Sequence, residues 1–465
     1  MMSQVLVDNQ LFVINPTDEM RKWCHNNLVL DNPEYQQRLR MNKWLVGVPQ
    51  HIYLYQTIDN KLVIPFGCIR EFHAIFADQV EYRLGFAAKT EVNYISHINL
   101  YDYQKNAVKK VLRLKNGILV MPCGSGKTQT ALEIISRIGG RALWLTHTQD
   151  LLTQSKLRAE SVLETNATFG AITAGQVNLG TGITFATIQT MCKVNLSEYS
   201  HYWNVIIVDE CQHCCGSPTR VTQFYKVISA LSARYKIGLT ATPNRSDGLH
   251  KSMFALLGGI IHEVTRKEVE QNTCPIQVIP AETGYHPDYD NILMSDGTLD
   301  YNALTNDLIN NKDRFQKVLD CVNTIGKSIL VLANRVQYIQ DLHESFTGKS
   351  VCLSTLGQSA KAKAERKEIL RKLNDGELDA VFSTYQLAKE GLDVPNLQYV
   401  VFATPVKDEI TVIQSAGRVG RKAEGKTIGT VIDFVDDFSL YRRYFAKRKS
   451  CYRKIEAKII DIDGC

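Results

Sequence analysis

Gly117-Ile118-Leu119-Val120-Met121-Pro122-Cys123-Gly124-Ser125-Gly126-Lys127-Thr128 is the stretch on which the fold turns. Gly117 to Met121 is a short apolar run of the kind a fully buried strand uses. Lys127 to Ile138 reads as a helix, with Ala131, Leu132, Ile134, Ile135 and Ile138 on its apolar side and Gly139-Gly140 to end it. Between them, Gly124 and Gly126 let the backbone turn tightly and aim its N–H groups at an anion. The helix N-terminus adds free donors and a favourable dipole. In such a strand–loop–helix unit Pro122, Cys123, Gly124, Ser125 and Gly126 surround phosphate oxygens. Lys127 supplies charge for the β- and γ-phosphates of ATP, and the Thr128 hydroxyl is a ligand for Mg²⁺. Met121 stands where the general pattern has glycine, so the flanking strand and helix carry the reading.

The same alternation of apolar runs and helical stretches extends on both sides, which predicts an α/β fold with parallel sheets. Ala142-Leu143-Trp144-Leu145 and Val205-Ile206-Ile207-Val208 are further strands of the first unit. The pattern restarts after about residue 300, with Ile329–Leu332, Ala380–Phe382, Tyr399–Phe402 and Thr430–Ile432 as strands and Lys361–Leu373 as a helix. The polar stretch from Glu282 to Thr298 reads as the linker. Residues 1–95 lean towards strand: His51 to Tyr55, a turn at Asp59-Asn60, then Leu62-Val63-Ile64 closed by Pro65. The expected organisation is an accessory, DNA-binding or capping domain over 1–95, an ATP-binding domain over 96–280, and a second α/β domain with a basic tail over 281–465.

Val205–Val208 is followed at once by Asp209-Glu210. The C-terminal ends of strands in an open parallel sheet are where ligands bind. There Asp209 is positioned to hold Mg²⁺ through water, and Glu210 to orient or deprotonate an attacking water.

Asp209-Glu210-Cys211-Gln212-His213 resembles the DExH box of superfamily 2 helicases, and the other motifs of that family follow in order. Tyr103-Gln104 resembles the glutamine motif that reads adenine. Leu239-Thr240-Ala241-Thr242-Pro243 resembles the motif that couples hydrolysis to domain movement. Gln386 to Pro395, with Gly391, Leu392 and Asp393, resembles motif V. Gln414-Ser415-Ala416-Gly417-Arg418-Val419-Gly420-Arg421 resembles the arginine-finger motif. The resemblance spans about residues 98–450 and implies two tandem RecA-like domains. It adds Gln104, Gly391 and Asp393 to the nucleotide site and Gln414, Arg418 and Arg421 to catalysis. It makes His213, Thr240 and Thr242 coupling residues, with Cys211 at the variable position of the box. Thr148, Gln149, Thr187, Asn334, Arg335 and Thr384 become the nucleic-acid contacts, suited to phosphate rather than base recognition. Arginines from a second domain imply a site completed only when the domains close, which converts hydrolysis into motion.

Within the superfamily the phosphate loop and Thr-Ala-Thr-Pro resemble the XPB-like DNA helicases and the branch-migration helicases of tailed phages, as does Asn32-Pro33-Glu34-Tyr35. The implied function is an ATP-dependent 3′ to 5′ DNA helicase, acting as a monomer on single-stranded, forked or branched DNA. An RNA helicase and a non-unwinding translocase subunit of a restriction system are the alternatives. A net charge of +6 fits a nucleic-acid partner, and eight Lys/Arg against one Glu from Arg442 to Lys458 sharpen the fit. That tail either follows a phosphate backbone or packs as a helix on the second domain. No apolar run reaches the roughly 18–20 residues that cross a bilayer. The opening MMSQVLVDNQ lacks the features of a secretion signal, so a cytoplasmic protein is expected. The twelve cysteines show no disulfide framework. Cys211, His213, Cys214 and Cys215 lie too close together for the usual zinc spacing.

Overall fold

A computed structural model of the chain describes residues 2–244, 247–356, 360–389 and 394–460. It divides into two compact units, residues 1–122 with 126–265 and residues 123–125 with 266–465.

The first unit holds two large sheets and two two-stranded ones, Val29–Asp31 with His51–Tyr53 and Ile95–Ser96 with Leu163–Glu164. The N-terminal large sheet runs Gln56–Ile58, Lys61–Pro65, Gln10–Ile14, Ser3–Val7, Val80–Leu84. Val5, Val7, Leu11 and Val13 alternate inward, so each strand is half-buried, and Met20, Cys24, Phe72 and Phe76 from two helices cover the inner face. Asp59 and Asn60 both have positive φ, +46° and +63°, as the two-residue turn between Gln56–Ile58 and Lys61–Pro65 requires.

The larger sheet runs Gln176–Asn178, Gly170–Thr173, Ile183–Thr187, Ala142–Thr146, Val205–Asp209, Tyr235–Thr240, Asn116–Val120, Ile260–Glu263. All neighbours are parallel except the Gln176–Asn178 edge. Its central strands are buried on both faces, which is why they read as unbroken apolar runs.

The N-terminal sheet is fastened to this domain. Leu249 and Ala255, from the later part of the unit, belong to its core. Gly67 packs so closely that an added Cβ would lie 2.3 Å from the Gly258 nitrogen and 2.4 Å from the Phe254 oxygen. The buried Lys236 amino group donates to the Asn9 and Ile228 carbonyls, both at 3.1 Å, and lies 4.6 Å from the Phe66 ring centre.

The second unit holds the parallel sheet Ser350–Cys352, Ala380–Thr384, Ile329–Ala333, Tyr399–Phe402, Gly429–Val435, Ile276–Glu282, Lys458–Ile459. Ile276–Glu282 differs from the expected boundary at 280/281: it pairs along its whole length with Gly429–Val435 and belongs to the second sheet. Pro275 and Pro280 interrupt the apolar pattern of this run, and Lys458–Ile459 reaches only Gln277 and Val278 on the other side. Pro280 therefore lies beside a free edge, where its missing N–H is tolerated. The basic tail forms the helix Ser439–Lys454, with Tyr441, Phe445, Arg448, Cys451 and Tyr452 buried against the domain. Arg442 pairs with Glu282 and Lys454 with Glu409, while Arg443, Lys447 and Arg453 face outward. No helix among the described residues is long and apolar enough to cross a membrane.

Candidate nucleotide site and nucleic-acid faces

Strand Asn116–Val120 ends at the phosphate loop, and helix Lys127–Ile138 begins directly after it. Gly124 and Gly126 have φ of +80° and +78°, the left-handed backbone that glycine adopts without strain. A Cβ on Gly126 would also sit 2.4 Å from the Gln104 amide nitrogen, so glycine lets the buried Gln104 reach the loop. Gln104 Oε1 accepts from the Tyr101 N–H at 2.9 Å, which fixes it at the start of helix Asp102–Leu114. Lys127 folds back, its Nζ 3.3 Å from the Met121 oxygen and 3.5 Å from that of Pro122. Ser125 is buried, Pro122, Cys123 and Thr128 are half-buried, and Gly124 is exposed.

Asp209 ends its strand and is buried. Burial first, and the Glu210 carboxylate second, push its pKa up to about 7, against the opposing pull of Lys127. Glu210 has φ of +51°, a left-handed conformation that costs a non-glycine residue about 1–3 kcal/mol and persists where the surroundings enforce it. The enforcement is visible. The Glu210 N–H donates to Asp209 Oδ1 at 3.0 Å, and the Gln212 amide donates to Glu210 Oε2 at 2.7 Å. Gln212 Oε1 in turn accepts from the Thr240 hydroxyl at 2.7 Å, and that hydroxyl accepts from the Thr242 N–H at 3.0 Å. Thr240 ends the neighbouring strand and Gln212 is fully buried, so one chain of hydrogen bonds joins Glu210 to the Thr-Ala-Thr motif.

These bonds run through Gln212 rather than through His213, the residue expected to couple. Counted from Asp209, the fourth position of the box is Gln212, and it is Gln212 whose amide spans Glu210 and Thr240. His213 stands one residue further on, its ring 4.6 Å from that of His147. Burial lowers the His147 pKa, with Glu210 pulling the other way. Counting from Asp209 would have found Gln212 in the sequence; nothing in the sequence pairs His147 with His213.

The cysteines here fill space. Cys211 and Cys214 are buried in the domain core, and Cys215 packs against the N-terminal core. An added Cβ on Gly238 would lie 2.7 Å from the Cys211 sulfur. Among the described residues no group of three or more His, Cys, Asp and Glu is placed to hold a metal ion. Mg²⁺ asks for less, since it keeps waters and takes most of its remaining ligands from nucleotide phosphates. The oxygen donors of Thr128, Asp209 and Glu210 suit it in kind.

The candidate nucleic-acid residues gather at strand ends in each unit. Thr146 and Thr187 are register partners on adjacent parallel strands, and Thr148-Gln149 follows the first. The Thr148 hydroxyl caps helix Gln149–Val162, and Thr187 is buried with its hydroxyl on Thr190. In the second unit Ala333 and Thr384 are register partners, with Asn334 and Arg335 following Ala333. Asn334 Nδ2 donates to the Pro405 oxygen at 2.7 Å, Arg335 reaches Asn302 at 3.2 Å, and the Thr384 hydroxyl lies 3.4 Å from the Leu387 nitrogen.

Gln414 lies on helix Glu409–Gly417, and Arg418 follows four positions later on the same side. Arg418 donates to the Ala388 carbonyl at the end of helix Tyr385–Lys389. Arg421 is bridged through its backbone to Thr273, and burial lowers the pKa of its guanidinium. Gly391 and Asp393 lie outside the described residues.

Two family models match the chain: the Type III restriction enzyme, res subunit, over residues 97–245, and the helicase conserved C-terminal domain over residues 312–423. The chain belongs to the superfamily 2 helicases. It is 27% identical over 387 residues to a protein named DNA 3'-5' translocase XPB2 from Sulfurisphaera tokodaii, covering 74% of this chain and 84% of that one. It is 27% identical over 354 residues to a putative ATP-dependent RNA helicase, L396, from Acanthamoeba polyphaga mimivirus, covering 73% of this helicase and 64% of that protein. The fold is also that of a DNA-bound ATP-dependent Type ISP restriction-modification enzyme, LlaBIII, with a TM-score of 0.55 at 16% identity over 77% of the helicase and 30% of that chain. The helicase thus carries two RecA-like domains, hydrolyses ATP and binds nucleic acid.

Proposed function

We propose that this helicase is an ATP-dependent 3′ to 5′ DNA motor that remodels forked or branched DNA as a monomer, with Mg²⁺ at the phosphates. The observation that carries the hydrolytic part is the bonded chain Glu210–Gln212–Thr240 beside the phosphate loop. In this reading Lys127 and Thr128 meet the β- and γ-phosphates and Mg²⁺, Asp209 holds the ion through water, and Glu210 orients the attacking water. Gln104 reads adenine. Gln414, Arg418 and Arg421 serve the charge that develops on the γ-phosphoryl group. The strand-end sets Thr148, Gln149, Thr187 and Asn334, Arg335, Thr384 follow one strand's phosphates. Gln212 joins Thr240 and Thr242 in passing the state of the nucleotide to the rest of its domain.

The N-terminal sheet grips the DNA that is being remodelled. Because it shares a core with the motor domain, removing residues 1–95 would strip Leu249 and Ala255 of their cover. Surface substitutions are the fitter probe.

DNA as the substrate is supported by the Sulfurisphaera tokodaii relative, named a DNA translocase, and a mimivirus relative named as an RNA helicase favours RNA as the second reading. The test is ATP turnover measured with single-stranded DNA, duplex, fork, four-way junction and RNA, together with strand displacement on 3′- and 5′-tailed substrates. Stimulation greatest on junction or fork, with displacement from a 3′ tail, is expected. Stimulation by RNA alone would replace DNA as the substrate. Translocation without displacement would place the protein with the restriction-type pumps.

A further inference from the structure

We propose that the loop Met41–Val48 of the N-terminal sheet domain is a binding site for an unpaired nucleic-acid strand, with Trp44 as the surface on which a base stacks. This rests on the reading of the chain as a DNA motor and names the surface that would hold the displaced or junction strand.

The observation is a large aromatic side chain held out in water by a built loop. Trp44 is 83% exposed. A free chain end would explain that cheaply, but this loop is pinned. The Asn32 side chain donates to the Pro49 oxygen at 2.7 Å, and its N–H donates to the Gln50 oxygen at 2.9 Å, which closes the base of the loop. The Lys43 N–H donates to the Arg38 oxygen at 2.9 Å. Arg38 then donates to the Trp44 carbonyl at 3.2 Å while Glu34 clamps it at 2.7 Å. The backbone that carries Trp44 is therefore fixed, which lowers the ordering cost of presenting the ring as a stacking platform.

The charge around it selects the partner. Residues 35–58 contain no Asp or Glu, and neither do residues 211–246, which supply the facing segment. Arg40, Lys43 and Arg220 are exposed. Of the nearby carboxylates, Glu34 is paired with Arg38 and Asp31, at the base of the loop, lies 3.3 Å from His51. Beside the loop lies an open pocket of about 350 Å³, whose charged lining is Arg38 and Arg220 with the Arg38-paired Glu34, and whose neutral lining includes Asn32, Val46 and Val48. Cations flanking an exposed indole suit the alternation of phosphate and base along an unpaired strand.

The experiment uses the full chain and an oligothymidylate. Trp144 and Trp203 are buried and Trp23 is packed against Phe72 and Phe76, so Trp44 is the indole a base can reach. Oligothymidylate should quench the protein's tryptophan fluorescence. Trp44→Ala should remove the quench and weaken binding by roughly 5- to 150-fold, the range for one stacked base, while Trp44→Phe restores most of the affinity. Arg40→Ala with Lys43→Ala should flatten the salt dependence by roughly 0.7 in log–log slope for each phosphate that is no longer neutralised. Unchanged affinity in Trp44→Ala, with the wild type binding normally, would overturn the site and leave the motor reading intact. Failure of the wild type to bind any nucleic acid would remove both. A quench produced by anionic phospholipid vesicles or by self-association, with none from oligothymidylate, would overturn the site as well.

Discussion

The two RecA-like domains both bury carboxylates on their parallel sheets, and they treat them in opposite ways. In the first, Asp209 is buried beside Glu210, and the protein answers that charge only partly, through Lys127 and one N–H, so the pKa rises. In the second, Asp433 and Asp436 are fully buried and each meets a buried arginine. Arg314 gives Asp436 two hydrogen bonds, at 2.7 and 3.1 Å, and spends its remaining donors on Tyr338 and the Ala403 carbonyl. Arg448 holds Asp433 at 2.9 Å, with Tyr452 adding a hydrogen bond at 2.7 Å. A carboxylate met by a buried guanidinium is a structural tie, even where one oxygen, Asp433 Oδ1, is left without a hydrogen bond. A carboxylate such as Asp209, whose burial is only partly answered, is poised for a ligand that brings its own positive charge.

That contrast is broken most severely at Glu210 and Lys127. Glu210→Gln should lower ATP turnover by about 10²-fold or more while the protein unfolds as the wild type does, and Lys127→Ala should do the same. Wild-type turnover in either variant would withdraw the assigned role. The second domain should answer differently. Arg314→Ala leaves a buried carboxylate without its partner and should cost about 3–5 kcal/mol of stability, read as a shift in denaturant midpoint. If Arg314→Ala were tolerated while Glu210→Gln unfolded the chain, the assignment of tie and site would be reversed.

A subtler break lies inside the first domain. Gln212→Ala removes both the hold on Glu210 and the link to Thr240, so unwinding per ATP should fall by about tenfold, the value of roughly one hydrogen bond to a charged group. His213→Ala should fall less. The reverse order would return the coupling role to His213.

How far this was legible in the sequence follows from the distance between interacting partners. The loop, its strand and its helix are contiguous, so apolar pattern and two glycines suffice. The Asp59-Asn60 turn is legible for the same reason. The hairpin of Ser3–Val7 with Gln10–Ile14 also alternates locally, but each strand is only five residues long and offers little to count. Ile276–Glu282 was hidden because its one proline, Pro280, is acceptable only beside an edge that the fold supplies. The arginine ties were out of reach: Arg314 and Asp436 are 122 positions apart, and Arg448 reads as one more cation of a basic tail. Gln212 was legible by position and masked by the adjacent histidine, which drew the family resemblance to itself.

The last expected effect is one of stability alone and concerns a charge of the opposite sign. Lys236 is fully buried in the first domain, and burial pushes its pKa down from the usual lysine value to about 7, with Asp8 opposing. Below pH 7 both the folded and the unfolded chain carry the proton, so this group adds no pH dependence. Between about 7 and the unfolded lysine value near 10.4, the unfolded chain binds a proton that the folded chain has lost. Stability from this residue therefore rises with pH across that window, by at most about 1.4 kcal/mol per pH unit, the value of a single proton. Tyrosines and cysteines whose pKa values burial raises tilt the curve the other way, so the readout is the difference between wild type and Lys236→Met. That difference should move in favour of the wild type from pH 7 to pH 9. A difference that stays constant would mean that Lys236 keeps its proton in the fold, held by the Asn9 and Ile228 carbonyls, and that the N-terminal sheet is fastened to the motor by a buried charge rather than by a neutral amine.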